Sequence, residues 1–380
     1  MRMPGGNAGH CVMRVYDDIF YKAVHAHEER LRAQRTRDQA RRVINKMMMP
    51  EIDLLVRVAP RPWESLESFA YRAVDLNGLR SLSEIASALR WKPGRALSLE
   101  RCHQLMNSLG EGYTQLEPMI PTEIDRKTVL LGGHRLKRGL LALTTSRLCP
   151  DCVEQHGYGK AYWSLAPLAA CEEHGTYLVD CCACNPDAPL STTRPGYMQC
   201  ACGADLRYQP RRHTSSAAQS LAFEIARRYK TDVGTEQDDH ESNSSMLPPE
   251  TTLSELLDLT TFLGSVNPDY ANMNLDRTRP VVKLSHVSKR FELAAQALAC
   301  WPTGVFPLLR FAYSQQREAP YNSRTAYQAL QPVMHAAERW LSPQMYKWFA
   351  EAVAAFIQTP SAWKSHSNSL PVRDCAHGRN

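Results

Sequence analysis

Cysteines with metal-ligand spacing dominate the centre of the chain, since eight of its twelve cysteines lie between residues 149 and 206. Pairs separated by one or two residues let a tight turn aim two side chains at one ion, and thiolate and imidazole are the usual ligands of structural zinc. The spacing predicts two quartets and therefore two Zn²⁺ ions per chain. The first quartet is Cys149, Cys152, Cys171 and His174 (C-x2-C-x18-C-x2-H), and the second is Cys181, Cys184, Cys200 and Cys202 (C-x2-C-x15-C-x-C).

Both sites are predicted to be structural rather than catalytic. Four protein ligands complete a tetrahedron and leave no position for a reactive water. Metal binding would then stabilise a loop-rich segment that has little apolar core of its own. One ligand is ambiguous, because Cys182 would pair with Cys184 as C-x-C, whereas Cys181, which we prefer, pairs with it as C-x2-C.

Catalytic motifs are absent from the sequence. A zinc deaminase requires H-x-E together with P-C-x-x-C, but the chain has C-P-D-C, and its only H-x-E begins at His27. The sequence contains no H-E-x-x-H, no G-x-S-x-G and no G-x-x-x-x-G-K-[ST], which excludes the common metalloprotease, hydrolase and P-loop signatures. We therefore expect no enzymatic activity.

The region before the cysteines predicts three short helices joined by tight turns. In the third, SLERCHQLMNSLG, helical spacing places Leu99, Cys102, Met106 and Leu109 on an inward face, and Arg101, His103 and Gln104 on an exposed face. This arrangement suits a helix-turn-helix whose third helix contacts DNA or a partner. An ordinary helical bundle with a solvated face is the alternative.

A basic segment follows these helices. It offers Arg126, Lys127, Arg135, Lys137 and Arg138 to phosphate groups. Contacts of this kind give weak, mainly electrostatic DNA binding that declines steeply as salt rises. The alternative is a solvated connector.

The overall pattern predicts a mainly α fold with a helix-turn-helix-like N-terminal domain, a loop-rich double zinc-binding module with short strands, and a helical C-terminal domain. Residues 1–55 are predicted to form a charged helical extension, with a helix over residues 14–46. Such an extension would result if the assigned start of the chain lies upstream of the true start. The further boundaries that we predict are 56–147 for the first domain, 148–213 for the zinc module, 214–250 for a helix and an acidic polar linker, 251–358 for the C-terminal domain, and 359–380 for a disordered tail.

Several of these motifs together carry a resemblance to a known family. The segments APRPWESLESFAYRAVDLNGL, LCPDCVEQHGYGKAYWSLAPLAACEEHGTYLVDCCAC and CACGADL, and the later ACWPTGVF, resemble the TniQ family of transposition target-selection proteins. The resemblance covers about residues 56 to 310 and is strongest from 148 to 206. The Cys-Cys-Ala-Cys run departs from the plain C-P-x-C that is common in the family.

The resemblance implies a non-catalytic adaptor. Such a protein selects an insertion site by binding DNA or by docking on a guide-RNA effector complex, and it recruits an AAA+ ATPase that engages a transposase. The absence of a P-loop motif from the sequence agrees with ATP hydrolysis by a partner protein instead of by this chain. The alternative is a free-standing zinc-containing DNA-binding transcriptional regulator, which would share the zinc finger and helix-turn-helix features but need no ATPase.

Composition and cysteine usage predict the cellular compartment of the chain. No apolar run approaches the roughly 18 residues of a membrane span, no signal peptide is recognisable, and paired cysteines in a reducing compartment are more often metal ligands than disulfides. We therefore expect a cytoplasmic protein with no membrane partner, and we include a homodimer among its possible states. The net charge of +6 is too small to establish a nucleic-acid partner.

Overall fold

The computed structural model divides into two compact units, Met1–Glu51 and Ile52–Asn380. It describes residues 28–29, 32, 56–88, 91, 95–109, 114–190, 194–231, 247–248, 250–266, 283–314, 323–359 and 361–362. Residues 28, 29 and 32 are helical and exposed. The remainder of the helix predicted over 14–46 lies outside the described residues, as do most of the predicted acidic linker and the predicted tail.

The fold is mainly α with a loop-rich centre, which confirms the predicted fold class. The described residues contain ten α-helices, and none of these helices combines the length and apolar character that crossing a bilayer requires. They are α1 (Leu66–Leu76), α2 (Leu82–Ala88), α3 (Leu99–Leu109), α4 (Pro150–His156), α5 (Ser216–Thr231), α6 (Leu253–Ser265), α7 (Leu284–Ala299), α8 (Phe306–Ser314), α9 (Ser323–Trp340) and α10 (Pro343–Gln358).

A small four-stranded sheet lies between α3 and the cysteine-rich region. Its strands are β1 (Leu97–Ser98), β2 (Thr122–Glu123), β3 (Thr128–Leu131) and β4 (His134–Lys137), in that spatial order, with β1 parallel to β2 and the other pairs antiparallel. Gly132 and Gly133, both at positive φ, form the two-residue turn between β3 and β4. A second sheet pairs β5 (Cys181–Cys182) with β6 (Asn185–Pro189).

Local signals account for the ends of several helices. Ser65 caps α1 by accepting a hydrogen bond from the Ser68 amide, and the helix stops at Asn77, before Gly78 at φ +64°, as the sequence predicts. Thr252 and Glu255, at the T-x-x-E spacing typical of a helix start, form a capping box at α6. The two N-terminal caps satisfy amides that the first turn of a helix leaves without an intrahelical acceptor, and the Asn77 amide bonds to carbonyls of the last turn of α1.

The inward face of α3 differs from the prediction at one position. Cys102 is buried as expected, but Leu99 is 55% exposed, and Leu105 is buried on the inward side. The short strand β1 buries Leu97 immediately before the helix. Because Leu97 already occupies the core at this point, the first helical residue is turned outward.

Tyr229 on α5 connects the sheet with the cysteine-rich region. Its fully buried ring packs edge-on to Trp63 (centroids 6.1 Å apart) and against Tyr162 (5.3 Å), and its carbonyl lies 3.2 Å from Nε2 of His134 on β4. A Cβ on Gly132 would come within 2.6 Å of the same ring. The β3–β4 turn therefore approaches α5 as closely as a glycine permits.

Candidate metal centres

The first group of ligands is built from two turns. Cys149 precedes α4 as its N-cap and Cys152 lies in the first turn of that helix, where Pro150 supplies a preset φ. Cys171 and His174 belong to a second turn that Gly175 closes, because its amide donates to the Cys171 carbonyl at 3.1 Å and it has a positive φ of 57°. The two turns are aligned by a pair of backbone hydrogen bonds.

These aligning bonds join Leu148 and Val179, whose amides donate to each other's carbonyls at 3.0 and 2.8 Å. The pairing places the residue before the first turn beside the strand-like segment after the second. Both pairs of ligands therefore face the same point. The arrangement is the one that the C-x2-C and C-x2-H spacings predict.

The distances in the first group fit a tetrahedral metal. His174 Nδ1 lies 3.7, 3.3 and 3.5 Å from the sulfurs of Cys149, Cys152 and Cys171, and the last two sulfurs are 3.5 Å apart. A zinc tetrahedron with Zn–S of about 2.3 Å and Zn–N of about 2.0 Å has S–S edges of about 3.8 Å and S–N edges of about 3.5 Å. The three cysteines are fully buried, so the site excludes bulk water.

Crowding of the three thiols perturbs their ionisation. Hydrogen bonding from Cys152 and Cys171 lowers the pKa of Cys149 to about 2, whereas bonding to Cys149 raises the pKa values of Cys152 and Cys171 well above that of an ordinary thiol. Only one thiolate is therefore favoured in this buried cluster without a cation. A bound metal ion would supply the positive charge that the other thiolates require.

The second group contains Cys182 where our preferred reading of the sequence had Cys181. The sulfurs of Cys182, Cys184, Cys200 and Cys202 lie within 4.8 Å of one another, and Cys181 is not among them. Both cysteines belong to β5, whose pairing with β6 is irregular between them. Cys182 is the buried residue of the two and joins the group, so the C-x-C alternative fits the geometry.

The second group is more open than the first. Cys184 and Cys202 are exposed, and their sulfurs are 2.9 Å apart, whereas Cys182 and Cys202 are separated by 3.9 Å. A tight turn presents Cys200 and Cys202, with the Gly203 amide donating to the Cys200 carbonyl at 2.9 Å. Hydrogen bonding from Cys184 lowers the pKa of Cys202 to about 7, which favours a thiolate at neutral pH.

A buried ionic cluster lies beside the first group, and the sequence analysis did not identify it. Lys160 is buried, 3.1 Å from the buried carboxylate of Glu172, and it also pairs with Glu173. Tyr162 donates its hydroxyl to Glu172, and Lys230 of α5 lies 3.8 Å from the same carboxylate. The turn that carries Cys171 and His174 is therefore held against α5 by charge as well as by packing.

A second buried pair attaches the start of α1 to the same region. Glu64 is completely buried, and both of its oxygens accept from the guanidinium of Arg72, at 2.7 and 2.5 Å. On either side of Glu64, the Ser65 amide donates to the Gly159 carbonyl and the Ala161 amide to the Trp63 carbonyl, each at 2.8 Å. The segment before α1 thus forms part of the structural support of the first metal-binding group.

Arg194 fixes the segment between β6 and Cys200 to α1. Its side chain is fully buried, Nη1 donates to Glu67 at 3.1 Å, and the guanidinium lies 4.9 and 5.1 Å from the ring centres of Tyr71 and Tyr197. Local sequence patterns carry no signal for the contacts with Glu67 and Tyr71, because these two partners are 127 and 123 residues away from Arg194.

The predicted DNA- or partner-binding residues fall on two surfaces. Arg101 and His103 are exposed on α3, and the Gln104 side chain lies outside the described residues. Arg126, Lys127 and Arg135 are exposed around the β3–β4 hairpin. Two further cations of the hairpin already have acidic partners, since Lys137 is 2.7 Å from Asp258 and Arg138 is 2.5 Å from Glu123.

The fold and the sites define a mainly α protein whose loop-rich centre gathers two four-ligand groups suited to metal ions. A family model described as TniQ matches residues 55–178. The match confirms the resemblance over residues 55–178 and connects that part of the chain with transposition target selection in general. The match includes the whole first group and ends before the second. No curated protein matches the chain.

Proposed function

We propose that the protein is a non-catalytic adaptor that selects the target site in DNA transposition. In this role it binds DNA or a guide-RNA effector complex and recruits an AAA+ ATPase, which in turn engages the transposase. The observation that carries the proposal is the TniQ match over residues 55–178, which includes all four ligands of the first metal-binding group.

We further propose that both groups hold Zn²⁺, with Cys149, Cys152, Cys171 and His174 as one ligand set and Cys182, Cys184, Cys200 and Cys202 as the other. Three or four thiolates in a tetrahedral set favour zinc over harder cations. When bound, the ion would cross-link two turns and stabilise their fold. An adaptor needs surfaces at fixed separation, and metal-closed turns supported by buried ion pairs meet that need.

The β3–β4 hairpin is our proposed contact for nucleic-acid phosphates. Arg126, Lys127 and Arg135 are exposed there. Lys137 and Arg138 are paired with acidic residues, which reduces their ability to contact phosphates. Replacing Arg126 and Arg135 with glutamine should lower the slope of log affinity against log salt by about two, since each phosphate contact contributes about 0.9. Lys283→Gln, at an exposed cation on α7's N-cap, is the control and should leave the slope unchanged.

Recruitment is testable by co-purification of the tagged full chain with the AAA+ ATPase of the same transposition system. We expect a complex that hydrolyses ATP, and no hydrolysis by the isolated chain. Cys149→Ser, which removes one ligand of the first group, should weaken the complex by loosening the region that the TniQ match covers. An ATPase that never co-purifies with the metal-loaded wild-type chain would contradict the adaptor role.

A further inference from the structure

A third set of metal-ligating side chains lies beside the first metal-binding group. The sulfur of Cys152, a ring nitrogen of His156 and a carboxylate oxygen of Glu173 all lie within 4.8 Å of one another. We call these three residues the third group. It shares Cys152 with the first group, and its other two residues belong to neither of the groups described above.

The third group is assembled by α4 and by the turn that carries Cys171 and His174. His156 is the last residue of α4, four residues after Cys152, and this spacing places both side chains on one face of the helix. Oε2 of Glu173 lies 3.2 Å from Nε2 of His156 and 3.5 Å from the Cys152 sulfur.

Lys160 holds the carboxylate of Glu173 in this orientation. Its buried amine pairs with Oε1 of Glu173 and lies 3.1 Å from the carboxylate of Glu172. The two oxygens of Glu173 therefore have separate partners. Oε1 faces the lysine, and Oε2 faces the other two members of the third group.

Exposure distinguishes the third group from the first. The side chains of His156 and Glu173 are 39% and 40% exposed, whereas all three cysteines of the first group are fully buried. The Cys152 sulfur lies 3.3 Å from His174 Nδ1 and 3.5 Å from Glu173 Oε2, so it is within reach of both sets. A continuous series of ligand atoms therefore leads from the surface of the chain to the first group.

We propose that the third group is the entry and exit site for the Zn²⁺ ion of the first group. This inference rests on the proposed occupancy of the first group by zinc. Thiolate, imidazole and carboxylate are all zinc ligands, and a set of three leaves a position for water, as suits an ion that arrives hydrated.

The shared ligand allows the ion to move without being released. Cys152 would stay bound while the other three ligands of the first group replace His156 and Glu173, and each thiol would release its proton to water as its sulfur binds. Four protein ligands, three of them thiolates, bind zinc more tightly than an open set of three. The ion would therefore remain in the first group.

The test measures how fast bound zinc exchanges with zinc in solution. The full chain, loaded with two Zn²⁺ ions, is mixed with an excess of a stable zinc isotope, and the bound isotope is followed by mass spectrometry. At equilibrium an ion enters and leaves by the same path, so the exchange rate reports on that path without unfolding of the chain. The ion of the second group provides an internal control.

His156→Gln removes the imidazole ligand and keeps a polar side chain that a helix accepts. It should slow the exchange of one of the two ions about tenfold, which corresponds to about 1.4 kcal/mol in the barrier. The number of bound ions and the equilibrium affinity should not change, because His156 is not a ligand of the first group. Glu173→Gln should slow the same ion. His103→Gln, at an exposed histidine of α3 outside all three groups, is the matched control and should change nothing.

An unchanged exchange rate in His156→Gln would overturn the proposal. A lower equilibrium affinity without slower exchange would also overturn it, because His156 would then support the bound ion. A third zinc ion in the wild type that His156→Gln loses would make the third group a resident site instead of an entry site. If Cys149→Ser left the zinc content unchanged, the first group would not be a zinc site, and the proposed metal assignment would fail together with this inference.

Discussion

Cys182 and Cys181 present a choice of ligand that spacing alone leaves open. Both C-x-C and C-x2-C are good turns for a metal, so the sequence could predict two quartets but not which of two adjacent cysteines completes the second. The pairing of β5 with β6 is irregular between the two residues, and Cys182 rather than Cys181 joins the group. The other seven predicted ligands lie in the two groups, because their positions depend on short local turns that spacing encodes directly.

The number of zinc ions bound per chain distinguishes Cys182 from Cys181 as the ligand. Cys182→Ser should reduce bound zinc from two equivalents to about one, because three ligands cannot close the second tetrahedron. Cys181→Ser is the matched control and should retain two equivalents. Elemental analysis of both purified variants decides the question, and loss of zinc from the Cys181 variant alone would restore the first reading of the sequence.

Glu64 fixes the segment before α1 to that helix from a position with no contact with water. Its oxygens accept from Arg72, from the Ser68 hydroxyl and from the Arg61 amide. Glu64→Gln removes the charge that compensates Arg72, and breaking a buried pair in this way should destabilise the fold by about 3 kcal/mol. The measurement is the free energy of unfolding with zinc in excess.

Asp187→Asn is the comparison for Glu64→Gln, since Asp187 is 91% exposed and lies 3.5 Å from the exposed amine of Lys283. A surface pair of this kind contributes less than about 1 kcal/mol. If both variants had similar small effects, the buried pair of Glu64 with Arg72 would not be a major contributor to stability.

At the level of elements, helix boundaries were more predictable than helix faces. Caps and stops such as Thr252 and Asn77 act within a few residues, so their chemistry is visible in the sequence. The outward turn of Leu99 was not visible, because it depends on Leu97 filling the core through β1. Contacts such as that of Arg194 with Glu67 join segments far apart in the sequence, so no periodic pattern in the sequence predicts them.

Helices α6 and α7 pack closely against each other at Gly264. A Cβ at this position would lie 2.6 Å from the carbonyl oxygen of Arg290, a backbone atom that cannot rotate away. Gly264→Ala should therefore cost about 1–3 kcal/mol through overpacking, although alanine has the higher helix propensity. Gly139→Ala is the control, since nothing lies within 4 Å of its Cβ, and it should be close to neutral. Thermal unfolding midpoints would reveal the difference, and equal midpoints would contradict the close packing.

Across the whole molecule, the two candidate metal-binding groups and the buried ion pairs agree with the proposed adaptor, which would present surfaces at fixed separation. The TniQ match covers residues 55–178, and the second group and the helices from α5 to α10 lie beyond it. The sequence-based resemblance extended to about residue 310, and over residues 179–310 it stays a prediction. The same holds for the predicted domain boundaries and for the contact residues on α3.

Insertion-site mapping tests the adaptor role most directly. The ATPase and transposase of the same transposition system are expressed with the wild-type chain, with no chain, or with Cys149→Ser, and insertions across the genome are sequenced. We expect insertions concentrated at one target with the wild type. Without the chain, or with the variant that cannot close the first metal-binding group, that concentration should disappear. An unchanged distribution of insertions when the chain is absent would contradict the account.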